Sequence, residues 1–356
     1  MHLLKLLVTG NPGLEDIMAL EAKEELGNRL IEVVELPGRG RIIVSLRDSS
    51  TGTEPFLRMR SIHNIVLLLA EERVGASREA LDRIREVVGA SEVHRYLLYG
   101  ATFAVEAERL GEGHEYTSLD IARIVGDSVI DTTLRKQGWR PRVRLNSPQI
   151  VVYAEVDKDV FRLGILLSGE HSRHRRGYRI YDHPAALKPS IAYSMLRIVG
   201  ARDGETILDP MCGGGTIAVE AALLFESSRI ICIDKNPGHI KGAIANATVA
   251  GVKKRIEFIV GDARRLQDYL EAETIDTVVS NPPYGIRMGS PSRVKSLYED
   301  FINSLNKVVK KGGKVALITT EEATVREASR RAGLKIVESR KVRHGDLWVS
   351  IITILK

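Results

Sequence analysis

Residues 206–225 read TILDPMCGGGTIAVEAALLF. The short β-branched run 206–208 stops at Asp209-Pro210, three glycines follow, and Thr216 opens an apolar stretch of helical length to residue 225. Strand, glycine turn and helix in that order make the opening unit of a doubly wound sheet, provided the alternation continues. It does. Strand-like runs at 230–233, 256–260, 277–280 and 314–318 are separated by helical patterns at 237–249 and 292–309. A helix over 190–199 precedes the block, and the apolar run 348–355 supplies a last strand. The expectation is an α/β fold with a Rossmann-like sheet over 186–356.

Upstream the pattern is different. Runs at 3–9, 30–36, 41–46 and 64–70 alternate with helical stretches at 14–26 and 54–59, a βαββαβ order that predicts a small ferredoxin-like domain over 1–73. A second α+β block, 74–168, has helices at 78–88 and 119–134, the latter with Ser118 as N-cap, and strands at 103–107, 150–155 and 161–167. Residues 169–185, polar and rich in Arg and His, read as a linker. His171, His174 and His183 there show no metal-ligand spacing, and no metal site is expected.

The net charge of +6 hides a strong asymmetry: −7 over residues 1–134, +7 over 135–179 and +7 over 186–356. Basic segments of this kind suit a polyanion, although an uneven solvated surface gives the same numbers. Two cysteines, Cys212 and Cys232, are too few for a disulfide framework, and no run is long and apolar enough for a signal peptide or membrane span. A cytoplasmic protein is expected.

Ligands of open parallel sheets bind beyond the carboxyl ends of the strands, so the loops there carry the chemistry. The first, 209–216, lacks the Gly-Lys-Ser/Thr of a phosphate loop and the spacing of GxGxxG. The second opens with Asp234, an acceptor for ribose hydroxyls or a helix N-cap. The third, Gly261-Asp262-Ala263, offers a carboxylate to an adenine amine or is a surface turn. In the fourth, Asn281-Pro282-Pro283-Tyr284-Gly285, two prolines remove two backbone donors and leave carbonyls beside an amide oxygen and an aromatic ring. Two acceptors and a ring suit a planar exocyclic amine.

Together these loops resemble the S-adenosylmethionine-dependent class I methyltransferases that modify exocyclic amines. The upstream stretches YTSLDIARIVG, SPQIVVYAEV, FRLGILLSGE, HRRGYR and HPAALKPSIAYSML are similar to the THUMP-domain guanine-N2-methyltransferases of tRNA and rRNA. With NPPYG rather than DPPYG, the chain most resembles the tRNA guanosine-6 subgroup. The resemblance implies S-adenosylmethionine as cofactor, held by Lys188, Pro189, Asp209, Met211, Cys212, Gly213, Gly215, Thr216, Asp234, Asp262, Ala263 and Asn281. It implies Asn281, Pro282 and Tyr284 as the catalytic set, and tRNA as partner of a monomer with no obligate protein partner. Phosphate contacts are expected from Arg135, Lys136, Arg140, Arg142 and Arg144, and from Arg173, Arg175, Arg176 and Arg179. A guanosine at tRNA position 10, a ribosomal guanine, adenine N6 or a non-catalytic THUMP protein stay open as alternatives.

Overall fold

A computed structural model of the chain describes residues 4–47, 53–169, 172–182, 186–284 and 291–356; Leu3, His171, His183 and Gly285, named above, lie outside them. Two compact units emerge: Met1–Gly10 with Met18–Arg173, and Asn11–Ile17 with His174–Lys356.

The first unit contains β1 (Leu4–Gly10), most of α1 (Glu15–Leu26), β2 (Leu30–Leu36), β3 (Arg41–Leu46), α2 (Glu54–Arg58) and β4 (Ile62–Arg73). It continues with α3 (Ala80–Ala90), β5 (Thr102–Leu110), α4 (Ser118–Gln137), β6 (Arg142–Val143), β7 (Ile150–Asp157) and β8 (Val160–Leu166). The two blocks read as separate in the sequence share one eight-stranded sheet, ordered β2-β3-β1-β4-β8-β7-β5-β6. The cause is β4, 12 residues long. It pairs with β1 near its start (Val66 opposite Leu7) and with β8 as far as its end (Arg73 opposite Val160). The cap of helix α4 lies one residue before the expected one. Thr117, not Ser118, is its N-cap, in a reciprocal pair where Thr117 Oγ1 accepts from Asp120 N and Asp120 Oδ2 accepts from Thr117 N.

The second unit runs α5 (Pro189–Ile198), β9 (Thr206–Asp209), α6 (Thr216–Leu224), β10 (Arg229–Asp234), α7 (Pro237–Val249), β11 (Ile256–Val260), β12 (Ile275–Ser280), α8 (Pro291–Val308), β13 (Val309–Thr319), α9 (Glu322–Arg331), β14 (Lys335–His344) and β15 (Leu347–Leu355). Its sheet order is β11-β10-β9-β12-β13-β15-β14, parallel through β13 and antiparallel beyond. Ile191, Ile217 and Ala243 from α5, α6 and α7 share one core, and Phe301, Leu305 and Val325 from α8 and α9 share another. Parallel register aligns Leu208 with Ile231 and with Val278, which brings the carboxyl ends of β9, β10 and β12 side by side. Neither α9 nor β14 is anticipated by the pattern: α9 buries few apolar residues, and β14 alternates charged residues with partly buried ones.

The same register sets Cys232 opposite Asp209, and Cys212 N donates to Ile233 O at 3.0 Å. The two cysteines are thereby adjacent, with Cα atoms 5.7 Å apart, and form one disulfide. Among the described residues, no helix is long and apolar enough to cross a membrane.

Candidate active site

Strand β9 delivers Asp209 to the carboxyl end of the sheet, where the residue is 2% exposed. It accepts from the Met211 amide and lies 3.5 Å from Ser280 Oγ, so the ends of β9 and β12 are tied. Burial pushes its pKa well above the usual carboxylate range; the charge of Asp234 adds to this and the Met211 N–H opposes it. The turn above is tight. Gly213 and Gly215 have φ of +50° and +75°, and a Cβ on Gly215 would stand 2.9 Å from that of Ala243 in α7. Thr216 then starts α6, whose first-turn N–H groups have no helical partners. Cys212, expected in the cofactor set, has its sulfur committed to Cys232.

Asp234 holds this turn from β10. Its Oδ2 accepts from Gly213 N at 2.9 Å, and its Oδ1 accepts from Asn236 N at 2.9 Å with His239 Nδ1 at 3.1 Å. A carboxylate has about four acceptor positions, so these three donors leave one. Capping of α7 falls to Asn236, whose Oδ1 accepts from Gly238 N at 2.8 Å, and not to Asp234. Asp262 caps the 3-10 turn Ala263–Asp268, and the Arg264 guanidinium hydrogen-bonded to it holds its carboxyl below the usual value. Arg264 is half exposed, so that pair is weak enough to exchange partners. Lys188 caps α5 in an extended conformation and Pro189 is the first helical residue. Burial lowers the Lys188 pKa, and the Arg343 charge lowers it further.

The loop 281–284 leaves β12 beside Asp209. Tyr298 of α8 donates to the Pro283 carbonyl at 3.3 Å and is 2.6 Å from Thr319 Oγ1; Thr320 Oγ1 donates to the Tyr284 carbonyl at 3.3 Å. Among the described residues no donor reaches the Pro282 carbonyl. Tyr284 is largely buried, which raises its pKa and keeps the hydroxyl protonated.

Several residues that no local pattern marks complete the site. Asn246 on α7 donates to the Gly214 and Tyr181 carbonyls, both at 2.9 Å, while its Oδ1 accepts from Ile180 N and Tyr181 N. The Tyr181 ring lies over Gly242, where a Cβ would be 2.2 Å from it. Residues 178–181 thus pack on the sheet unit rather than forming a free linker. Two of the arginines expected to contact phosphate face carboxylates here. Arg176, 12% exposed, pairs with buried Glu220 at 3.3 Å, and Arg179, 18% exposed, pairs with Asp182. Arg173 belongs to the first unit and donates to the Leu57 carbonyl. Arg175 is exposed.

In the first unit Arg135, Lys136, Arg140, Arg142 and Arg144 are all exposed, at the end of α4 and through β6; Arg135 donates to the Gly89 carbonyl at 3.2 Å. An aromatic pair in this unit is likewise unmarked by any local pattern. Trp139, within the basic segment, stacks obliquely on Tyr99, centroids 5.6 Å apart, and Tyr99 is 88% exposed.

A Gly-rich turn at a helix start, carboxylates at successive strand ends and an Asn-Pro-Pro-Tyr loop define a methyltransferase unit of the Rossmann-like class. Residues 176–350 match the RMKL-like methyltransferase domain family, and residues 78–166 match the THUMP domain family. The tRNA (guanine(6)-N2)-methyltransferase of Archaeoglobus fulgidus is 33% identical, the match covering 98% of this chain and 91% of that one. Its namesake in Methanocaldococcus jannaschii is 32% identical over 97% and 98% of the two chains. The crystal structure of TrmN from Thermus thermophilus superposes with a TM-score of 0.80 at 28% identity, covering all of both chains. The chain belongs to the family of THUMP-containing methyltransferases that these proteins represent.

Proposed function

We propose that this enzyme transfers a methyl group from S-adenosylmethionine to the exocyclic N2 amine of a guanosine in tRNA, at position 6 of the acceptor stem, in the cytoplasm and as a monomer. The observation that carries the reading is the loop 281–284, whose Pro282 carbonyl is left without an internal donor among the described residues while its neighbours are held by Tyr298 and Thr320. The names of the relatives support tRNA guanosine 6 as the target.

The donor set fits the cofactor. Asp209, Met211, the backbone of Gly213 and Gly215, Thr216, Lys188 and Pro189 would hold the methionine end; the remaining acceptor position of Asp234 would take the ribose. Asp262 and Ala263 would take the adenine once Arg264 shares its partner. The cofactor supplies an activated sulfonium methyl. Asn281 Oδ1 and the Pro282 carbonyl accept the two N2 hydrogens, which turns the nitrogen lone pair out of conjugation and toward that methyl. Tyr284 stacks on the base. Positioning is the main source of acceleration, because the Asn281 amide is no base at neutral pH; the proton leaves after transfer. A stem guanine must first be flipped out at a cost of a few kcal/mol, which binding elsewhere on the RNA offsets. Arg135, Lys136, Arg140, Arg142, Arg144 and Arg175 supply phosphate contacts, and Tyr99 with Trp139 gives unpaired bases a stacking face.

Unmodified tRNA incubated with labelled S-adenosylmethionine, digested and mapped by mass spectrometry, should carry N2-methylguanosine at position 6. Label at position 10 moves the site, and label in N6-methyladenosine overturns the base assignment.

A further inference from the structure

Tyr284 ends the loop that receives the amine, and its hydroxyl lies 3.3 Å from Nδ1 of His344, the rings edge-on at 85°. His344 is the last residue of β14, next to the turn at Gly345 that leads into β15. The Ala186 carbonyl, two residues before the helix cap Lys188, acts on its ring and favours the protonated form. Burial lowers its pKa, as do the charges of Lys188 and Arg179, so the imidazole is neutral. A neutral imidazole has one donor and one acceptor nitrogen. In either tautomer Nδ1 can hydrogen-bond the Tyr284 hydroxyl.

The hairpin that carries His344 is fixed from a distant part of the sequence. Arg343 N donates to the Pro12 carbonyl at 2.9 Å, and Asn11 Nδ2 donates to the Arg343 carbonyl at 3.1 Å. Buried Asn11 also accepts from Ser190 Oγ at 2.9 Å, in the first turn of α5. Gly13, with φ +93°, permits this approach, since a Cβ there would meet the Lys341 carbonyl oxygen at 2.1 Å. All these residues lie in the second unit.

We infer that His344 is a positioning residue for methyl transfer, holding the Tyr284 ring in place and joining it to the 186–190 segment, with Asn11 and Pro12 bracing the hairpin from which it projects. The inference rests on the reading of Tyr284 as the face on which the target base stacks. A base docked on a ring free to turn would present its amine to the acceptors for only part of the time. Loss of His344 therefore acts on turnover and leaves binding of the methyl donor alone.

The full-length enzyme, unmodified tRNA and labelled S-adenosylmethionine provide the test, with kcat and KM for tRNA determined separately and cofactor affinity measured by calorimetry. His344→Ala should lower kcat about tenfold, the value of one hydrogen bond made in the reacting complex, with cofactor affinity within about twofold of the parent. His344→Asn, which keeps an acceptor near the Nδ1 position, should restore most of the loss. Tyr284→Phe removes only the hydroxyl and should match His344→Ala, and the double variant should be no worse than either single one. Should His344→Ala fold poorly, Tyr284→Phe carries the test by itself, and an unchanged kcat overturns the inference. Losses that multiply in the double variant overturn it as well. Full activity in His344→Ala together with an inactive Tyr284→Ala overturns the role of His344 and leaves the site standing. An active Tyr284→Ala overturns the site reading itself.

Discussion

Asn281 Oδ1 and the Pro282 carbonyl are the two acceptors on which the proposed mechanism turns, and only the first is a side chain that substitution can remove. Asn281→Ala should reduce transfer at least about 100-fold, in the range seen when one oriented polar group is lost from a transition state. Calorimetry should find cofactor affinity changed by less than about threefold; an active variant would remove Asn281 from the mechanism. Arg176 provides a contrast, since its charge faces the buried carboxylate of Glu220, which also accepts from Tyr178 at 2.7 Å. Arg176→Ala should lower stability by about 3 kcal/mol, because a buried carboxylate loses its counter-charge. Thermal melting measures that, and the salt dependence of tRNA binding should stay as it is. Composition could not separate Arg176 from exposed Arg175: both stand in one basic run, and the difference lies 44 residues away in Glu220. The loop motifs were legible because the effects of Gly and Pro are local. His344 and Asn246 were not, because their partners are 32 to 66 residues away.

Between residues and the whole fold, the α9–β14–β15 corner shows an element that periodicity misses and electrostatics secures. Glu322, at the start of α9, accepts from Ser350 Oγ at 2.6 Å, from Arg326 at 2.7 Å and from Ser339 Oγ at 2.8 Å, which pins both hairpin strands to the helix. The Ser350 hydroxyl, then Arg326 and Ser339, hold its pKa down at about 2. A carboxyl with a folded pKa below its unfolded value of 4.5 contributes stability that is complete above pH 4.5 and is lost as pH falls toward 2. Glu322→Gln should therefore flatten the acid limb of the unfolding curve between those values while lowering stability at neutral pH; an unchanged acid limb would remove the clamp. Solvent screens the group, so the effect is modest. In the other unit the basic segment was legible as a charge run, yet its aromatic partner Tyr99 is 40 residues from Trp139 in sequence and was not. Replacing Arg140, Arg142 and Arg144 by alanine should weaken tRNA binding at low salt. The slope of log affinity against log salt should fall by about one for each phosphate that is no longer neutralised.

At the scale of the molecule, strand–helix alternation disclosed the sheet of the second unit nearly strand by strand, since each parallel strand there is a compact apolar run. Its membership was not disclosed, because Asn11–Ile17 belongs to it in space and to the N-terminal block by sequence. Leu14 is fully buried in a core with Ile191, Met195 and Val342, and Asp16 accepts twice from Arg340 Nη1 at 2.8 and 2.9 Å. Asn11 and Pro12 add the bonds to Ser190 and Arg343 already described. A fragment starting at His174 accordingly leaves a hole where Leu14 sat and strips Arg343 of β14 of its hydrogen bonds to Pro12 and Asn11. Leu14→Ala in the intact chain isolates the packing part of this effect, and should cost about 2–5 kcal/mol, as for other buried leucines. The fragment should be less stable than that variant, because the hydrogen bonds of Asn11 and Pro12 and the ion pair of Asp16 are missing from it too. Addition of a peptide spanning residues 11–17 should recover part of the difference in thermal melting. A fragment as stable as the second unit within the intact protein would show that these residues are passengers on the sheet rather than part of it.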